Sequence, residues 1–246
     1  MSGKVVVITG ANGGLGQALA RSLVADGEKV VLLGRSLAKV KEVADEIGGE
    51  ALPVECDVSS PDSVRAAFAA IASAHRRIDV LINNAATFAP YLIEEASDEQ
   101  ILGSVLTNLA GPMLTARSAI PLLDGGGLII NISSESIDSR LPHMIGYQST
   151  KAGVENLGRH LHAELKDRGI RVTTVRAGAM VGPGQTPQVA GDAGLRFFQE
   201  AIKRGANPMD GGLTQYSSTL QTFRTIINAP ADLHFGLVTL EARKPL

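Results

Sequence analysis

The chain reads as an α/β protein: one doubly wound parallel sheet of about seven strands, with helices on both faces. Short β-branched runs alternate with longer amphipathic ones along the 246 residues, the pattern of strands joined by crossover helices. Those short runs are apolar without strict alternation, as strands covered on both faces require. A composition of 44% hydrophobic and 20% charged residues is globular, and it excludes disordered, collagen-like and coiled-coil chains. At roughly 150 residues per domain the length allows one domain or two. No Pro/Gly-rich linker divides the chain before residue 177 and no internal repeat is present, so 1–246 is read as a single domain.

The elements follow in order. The first strand is expected at Lys4–Ile8, followed by a glycine-rich turn and a helix over Gln17–Asp26. Val30–Leu33 and Ala51–Glu55 are the next strands, and Ser60-Pro61-Asp62 then places an N-cap before Pro at the first helical position. Val80–Asn83 is the fourth strand, and Ser97-Asp98-Glu99-Gln100 is a capping box opening the helix that follows. Leu128–Ile132, a helix through Glu164, Arg171–Val175 and Gly236–Leu240 complete the sheet. A Gly- and Pro-rich stretch at about 178–214, with one helical segment at Leu195–Arg204, interrupts this rhythm and is read as a lid over a ligand site.

Composition bounds the partners. With 23 Lys and Arg against 25 Asp and Glu, the net charge is −2, and no dense basic run occurs. That argues against nucleic acid or an anionic membrane as the main partner. No stretch approaches the 18 or so apolar residues of a membrane span, and no targeting segment is visible, so a cytoplasmic protein is expected. The single Cys56 can form no internal disulfide. Three Tyr, six Phe and no Trp imply a mainly aliphatic core. His160 and His162 lie two apart on a helix and face different ways, so no metal site is expected. Metalloprotease, nucleoside triphosphatase and hydrolase motifs are absent from the sequence.

The first turn reads Thr9-Gly10-Ala11-Asn12-Gly13-Gly14-Leu15-Gly16, between a strand and a helix. Glycines at 10, 14 and 16 allow a tight turn, close approach of a pyrophosphate to backbone N–H groups, and close helix-on-strand packing. The second strand runs into Gly34-Arg35-Ser36 with no carboxylate. A carboxylate there would bond a ribose 2′-hydroxyl; a guanidinium suits a 2′-phosphate, so NADP(H) is favoured, with NAD(H) also possible. Read alone, Arg35 is alternatively a solvated surface charge. Tyr147 and Lys151 lie about one helical turn apart, so phenol and ammonium share a face. A neighbouring cation favours the phenolate and draws its pKa toward the working range of a general acid/base. Ser134 falls at the carboxyl end of the fifth strand, where ligands of open parallel sheets sit, and it can polarise a carbonyl oxygen; Ser133 is the structural alternative. Asn108 reads as a mid-helix polar residue before a kink at Pro112.

The Thr-Gly-x3-Gly-x-Gly spacing, Asn83-Asn84-Ala85-Ala86, and Ser134 thirteen residues before Tyr147-x3-Lys151 resemble the short-chain dehydrogenase/reductase family. The motifs run in that family's order over about residues 4–178. The resemblance implies a Rossmann-type oxidoreductase that transfers a hydride between nicotinamide and a carbonyl or alcohol. In it Tyr147 is the acid/base, Lys151 lowers its pKa and holds the ribose, Ser134 polarises the oxygen, and Asn108 supports a water relay. It implies cofactor contacts at Gly10, Asn12, Gly13, Gly14, Leu15, Gly16, Arg35, Ser36, Asp57, Val58, Asn84, Ala85, Ala86, Gly178 and Met180, as well as Tyr147 and Lys151. A homodimer or homotetramer built on helices around 97–118 and 146–167 is also implied. The family's usual Pro-Gly-x3-Thr is here Ala177-Gly178-Ala179-Met180-Val181-Gly182, without the Pro and without the phosphate-binding Thr. Phe88, Tyr91, His143, Met144, Phe197 and Phe198, with Leu141 and Met180, are candidates for an apolar pocket, or alternatively for core packing. A sensor of NADP(H) without redox chemistry, or a lyase or epimerase on the same site, is the alternative function.

Overall fold

The computed structural model describes residues 3–123, 125–139, 141–183, 191–208 and 211–243. Its first strand, β1 (Val5–Thr9), is a β-branched run buried along nearly its whole length. It passes through the glycine turn into α1 (Gly14–Ala25), then β2 (Lys29–Gly34), α2 (Leu37–Ile47), β3 (Ala51–Glu55) and α3 (Pro61–Ala74). Serines cap two of these helices: Ser36 Oγ accepts from Lys39 N at α2, and Ser60 Oγ accepts from Ser63 N at α3, ahead of Pro61. After β4 (Val80–Asn83) comes α4 (Asp98–Val105), opened by the Ser97–Gln100 capping box.

The long helix expected over 97–118 is interrupted. Residues 106–110 form one π-helical turn before α5 (Gly111–Ala119). Pro112 has no N–H for the carbonyl four residues back, which belongs to Asn108, so the α register cannot run through this point. The chain continues as β5 (Gly127–Ser134), α6 (Ile145–Leu165) and β6 (Ile170–Ala177). Gly169, at φ 70°, turns the chain from the end of α6 into β6.

Beyond β6 lie β7 (Met180–Val181), α7 (Gly191–Lys203), β8 (Thr214–Gln215), α8 (Tyr216–Ile227) and β9 (Leu237–Leu240). The helical segment expected from Leu195 thus starts four residues earlier. Residues 184–190 and 209–210 of the expected lid lie outside the described residues. The remainder carries α7 and the small parallel pair β7–β8.

Seven strands form one parallel sheet in the order β3-β2-β1-β4-β5-β6-β9. The chain works outward from β1 to β3, then returns to β4 on the other side of β1. The connections therefore leave β1 and β4 in opposite directions, which opens a crevice at their carboxyl ends. Alternate strand residues feed two aliphatic cores. Val6, Ile8, Leu32, Ile82 and Ile130 pack under α1, α2 and α8; Val7, Leu33, Leu81, Ile129 and Val172 pack under α3, α5 and α6. Each fully buried Val, Leu or Ile contributes about 1.5–3 kcal/mol relative to exposure. Phe223 and Phe68 are the only rings among the buried members of these two cores, so scarce aromatics suffice. No described helix is long and apolar enough to cross a membrane.

Candidate active site

Two adjoining cavities occupy the crevice. The first, of about 380 Å³, is walled by Gly10, Asn12, Gly13, Gly14, Leu15, Gly34, Arg35, Cys56, Val58, Asn84, Ala85, Ala86, Thr87 and Thr107. Its floor is the glycine turn, with Gly10 at φ 66° and Gly14 at φ 56°, backbone that favours glycine. Gly16 packs behind it: a Cβ there would lie 2.5 Å from Gly10 O and 2.6 Å from Asn84 Nδ2. Asn84 ties the end of β4 to the turn, donating from Nδ2 to Thr9 O (3.0 Å) and Gly10 O (3.3 Å). Thr9 Oγ1 in return accepts from Asn84 N at 3.0 Å and Ala85 N at 2.9 Å.

Whether this turn suits a dinucleotide is tested by its free donors. The N-cap of α1, Gly13, makes no side-chain cap bond, unlike the serine-capped α2, α3 and α4. The leading N–H groups of α1 therefore lack the partner a capping side chain would supply and suit an anion. Gly14, lacking a side chain, leaves open the approach to them, so these residues fit a pyrophosphate.

Ser36 and Asp57, expected among the cofactor contacts, do not line this cavity. The Ser36 hydroxyl caps α2, and Asp57 Oδ1 accepts from Ser59 N (2.9 Å) and Ser59 Oγ (2.7 Å), stabilising the turn into α3. Cys56, Thr87 and Thr107 do line it, unforeseen from the sequence. Burial raises the Cys56 thiol to about 12, so it is a wall residue and not a nucleophile.

The second cavity, of about 900 Å³, holds Ser134, Tyr147 and Lys151 together with Phe88, Leu141, Met144, Gly178, Met180, Phe197 and Phe198. Ser134 comes from the end of β5, while Tyr147 and Lys151 come from the first two turns of α6. Lys151 Nζ donates to Ile132 O at 2.7 Å and lies 5.7 Å from the Tyr147 ring centroid. Ser133 Oγ donates to Lys151 O at 3.0 Å, pinning α6 to β5. Ser134 Oγ lies 2.9 Å from Ser136 Oγ, and its hydroxyl acts on the Tyr147 phenol to favour the ionised form.

The electrostatics differ from the simple pairing read in the sequence. Burial pushes the Tyr147 phenol above its ordinary range, and the hydrogen bond with Ser134 pulls against that. Burial also lowers the Lys151 ammonium to about 8. Desolvation thus dominates both groups, because Lys151 points at a carbonyl and not at the phenol oxygen.

Asn108 is 1% exposed and faces neither cavity. Its Oδ1 accepts from Thr87 N (2.7 Å), and its Nδ2 donates to Thr87 O (2.9 Å) and Thr150 Oγ1 (3.3 Å). The side chain therefore brackets the loop after β4 to α6.

On the far side Phe88 meets the Tyr147 ring edge-on (5.2 Å, 81°) and Phe197 (6.1 Å, 80°), and Phe197 meets Phe198 (5.3 Å, 70°). Tyr91 and His143, read as pocket residues, form a layer behind this wall. Tyr91 is 6% exposed, with its hydroxyl in the space a Gly146 side chain would fill, and its N–H donates to His143 O at 3.0 Å. His143 is buried at φ 63°, a backbone rare for a non-glycine residue, and does not line the cavity.

A polar network that includes Asp138 and Glu135 closes the rim. Arg176 is bidentate to buried Glu155 (2.8 and 2.7 Å) and reaches Asp138 with Nη1 at 2.7 Å. Glu135 Oε1 accepts from Ala179 N at 3.2 Å, and Gly178 N donates to Leu240 O at 2.7 Å. The loop that lacks its proline is thereby held by hydrogen bonds.

The chain can be compared with known proteins on this basis. It is 36% identical over 218 residues to an uncharacterised oxidoreductase of Methylorubrum extorquens, covering 85% of this chain and 88% of that one. A 3-ketoacyl-(acyl-carrier-protein) reductase from Brucella melitensis, solved with NADH, superposes with a TM-score of 0.81 at 28% identity, covering 97% of each chain. An alcohol dehydrogenase from Thermococcus sibiricus, solved with 5-hydroxy-NADP, gives 0.79 at 26% identity and 99% of each chain. The short chain dehydrogenase model matches residues 4–191, which span every side chain assembled above from β1 to the start of α7, and the chain belongs to that family of oxidoreductases.

Proposed function

We propose that this protein is an NADP(H)-dependent oxidoreductase that interconverts a carbonyl and an alcohol on a small-molecule substrate, with Tyr147 as the acid/base. The observation that carries the reading is the meeting of Ser134, Tyr147 and Lys151 in a cavity that shares Leu15, Asn84 and Ala86 with the one over the glycine turn. When bound, a nicotinamide supplies or accepts the hydride.

The chain's own groups do the rest. Ser134 Oγ holds the substrate oxygen beside the Tyr147 hydroxyl and stabilises charge that develops on it. Tyr147 gives its proton to that oxygen in reduction and takes it back in oxidation. Lys151, one turn along α6, favours the phenolate when charged, and Asn108 supports the water relay that replenishes the proton. Phe88 and Phe197 form an apolar wall for the substrate, and the described residues of 178–214 act as its lid.

The choice of NADP(H) over NAD(H) rests on Arg35, which borders the first cavity at the end of β2 beside Gly34, where no carboxylate stands. A homodimer or homotetramer is the assembly we favour: Leu102, Val105, Leu106 and Met113 leave apolar side chains exposed along α4 and α5. Light scattering on the purified protein measures that state directly.

The test of the function is a panel of ketones and alcohols with each cofactor, read at the absorbance of reduced nicotinamide, on wild type and Tyr147→Phe. Turnover by wild type and its loss in Tyr147→Phe, with cofactor affinity kept, is the expected result. Full turnover by the variant refutes the role of Tyr147. A product that keeps its substrate's oxidation state points instead to a lyase or epimerase.

A further inference from the structure

Leu15, Asn84 and Ala86 wall both cavities, so a dinucleotide with its adenosine half in the first and its nicotinamide half in the second carries its diphosphate across them. That crossing lies at the N-terminus of α1. A side chain distant in sequence from the glycine turn reaches it. Tyr216, the first residue of α8, lines the second cavity, and its hydroxyl lies 3.4 Å from where a Cβ on Gly14 would sit.

The surrounding structure fixes this placement from both ends. At the far end of the two helices Arg224 grips Asp26 with Nε–Oδ2 at 2.5 Å and Nη2–Oδ1 at 3.0 Å. Tyr216 lies against Gly14 at one end and Arg224 against Asp26 at the other, so α8 runs parallel to α1 and both positive helix ends face the crossing. The N-cap of α8, Gln215, makes no side-chain cap bond, as Gly13 makes none at α1. On the other side, the β7–β8 pairing of Met180 with Thr214 and the Thr214 N to Ala179 O bond (2.9 Å) hold the chain just before Tyr216.

The loop after β6 is also short of a hydroxyl. The phosphate-binding Thr that the family resemblance implies there is absent from Ala177-Gly178-Ala179-Met180-Val181-Gly182. We propose that Tyr216 supplies it, its Oη donating a hydrogen bond to the diphosphate of the bound dinucleotide. Partial burial raises the Tyr216 phenol above its ordinary range, so it remains a protonated donor at neutral pH. The proposal rests on the reading that a nicotinamide dinucleotide binds here, and it adds a contact that discriminates neither NADP(H) from NAD(H) nor one substrate from another.

The experiment measures NADPH and NADH affinity by cofactor fluorescence, and ADP-ribose and 2′-AMP affinity by calorimetry, on wild type and Tyr216→Phe, which keeps the ring and its packing. A hydrogen bond to a charged group corresponds to roughly a 10-fold loss of affinity. NADPH, NADH and ADP-ribose should all weaken by about that factor, while 2′-AMP, which has no diphosphate, binds unchanged with an unshifted melting temperature. Unchanged affinity for all four ligands overturns the proposal. Tighter binding by the variant also overturns it, because Tyr216 would then obstruct the crossing; so does an equal loss for 2′-AMP, which marks a general packing role. Wild type that binds neither NADPH nor NADH overturns the dinucleotide reading itself, and the contact with it.

Discussion

Replacing Lys151 with Met should make the folded protein more stable at neutral pH while removing the ammonium from the site. Lys151 is 3% exposed, and burial brings its ammonium down from 10.5 to about 8. A drop of that size corresponds to about 3 kcal/mol of penalty for keeping the charged form folded, at roughly 1.4 kcal/mol per unit. The sign follows from linkage. Between about pH 8 and 10.5 the unfolded lysine binds more proton than the folded one, so wild-type stability rises with pH through that window. The contribution of the neutral folded lysine is fully present above 10.5 and is lost as pH falls through about 8. Met keeps the aliphatic stem but cannot donate to Ile132 O, and the orphaned carbonyl returns about 1 kcal/mol or more of the gain. The net expectation at pH 7 is a variant more stable by about 1–2 kcal/mol, with the difference narrowing by about 1 kcal/mol at pH 9. Urea denaturation at the two pH values measures both quantities, and the narrowing is insensitive to the Ile132 correction, which is common to both. A wild type and variant separated by the same amount at pH 7 and 9 would show that Lys151 is not held at a depressed pKa, and the electrostatic account of the site would fall with it.

Arg35→Asp should weaken NADPH by about 100-fold, through loss of charge-assisted bonds to a 2′-phosphate, and NADH far less, as read by fluorescence titration; equal losses refute a phosphate role for Arg35. Gly16→Ala drives a methyl to 2.5 Å from Gly10 O, so it should cost about 1–3 kcal/mol in urea denaturation and disturb the turn enough to weaken either cofactor. Glu155→Gln breaks the bidentate ion pair with Arg176, for a loss of about 1–3 kcal/mol at pH 7, because the pair is only partly buried and Asp138 still holds the guanidinium. Burial raises the Glu155 carboxyl, but bonds and charge from Arg176 and Ser133 outweigh this and leave it below 4.5. The advantage of wild type over Glu155→Gln should therefore hold above pH 4.5 and shrink as acidification takes the carboxylate through its folded pKa.

The sheet was legible because aliphatic runs buried on two faces have no other stable home. Val5–Thr9, Ala51–Glu55 and Val80–Asn83 fall within a residue of where the hydrophobic pattern put them. The caps at Ser60 and Ser97 were legible for a similar reason, since capping is a local bargain between a side chain and the next turn. The π turn at 106–110 was only half visible: Pro112 announces a break, but the sequence does not say that the backbone absorbs it by widening one turn instead of bending. Ser134, Tyr147 and Lys151 were readable because each is placed by a single regular element whose face follows from its period. Tyr91 is expected in the pocket because it follows the fourth strand, and His143 because it lies between Ser134 and Tyr147, yet neither lines the cavity. The left-handed backbone at His143 and the open space over Gly146 have no local signature.

Tyr216 shows where reading along the chain must stop. Its place depends on a ladder of two residues, Met180-Val181 against Thr214-Gln215, too short for propensity or alternation to mark. Such a pair forms because its surroundings align it: Gly178 N is already bonded to Leu240 O at the sheet edge, and Glu135 holds Ala179 N. The helix that follows is then laid against α1 by Phe223 and Ile226 in the core and by the Arg224–Asp26 pair. Each step is a contact between segments far apart in sequence, and each is individually weak. Together they carry an aromatic hydroxyl from near the end of the chain to within reach of its first turn. The third tyrosine of an aromatic-poor chain thus reaches a site whose local motifs give no reason to look for it.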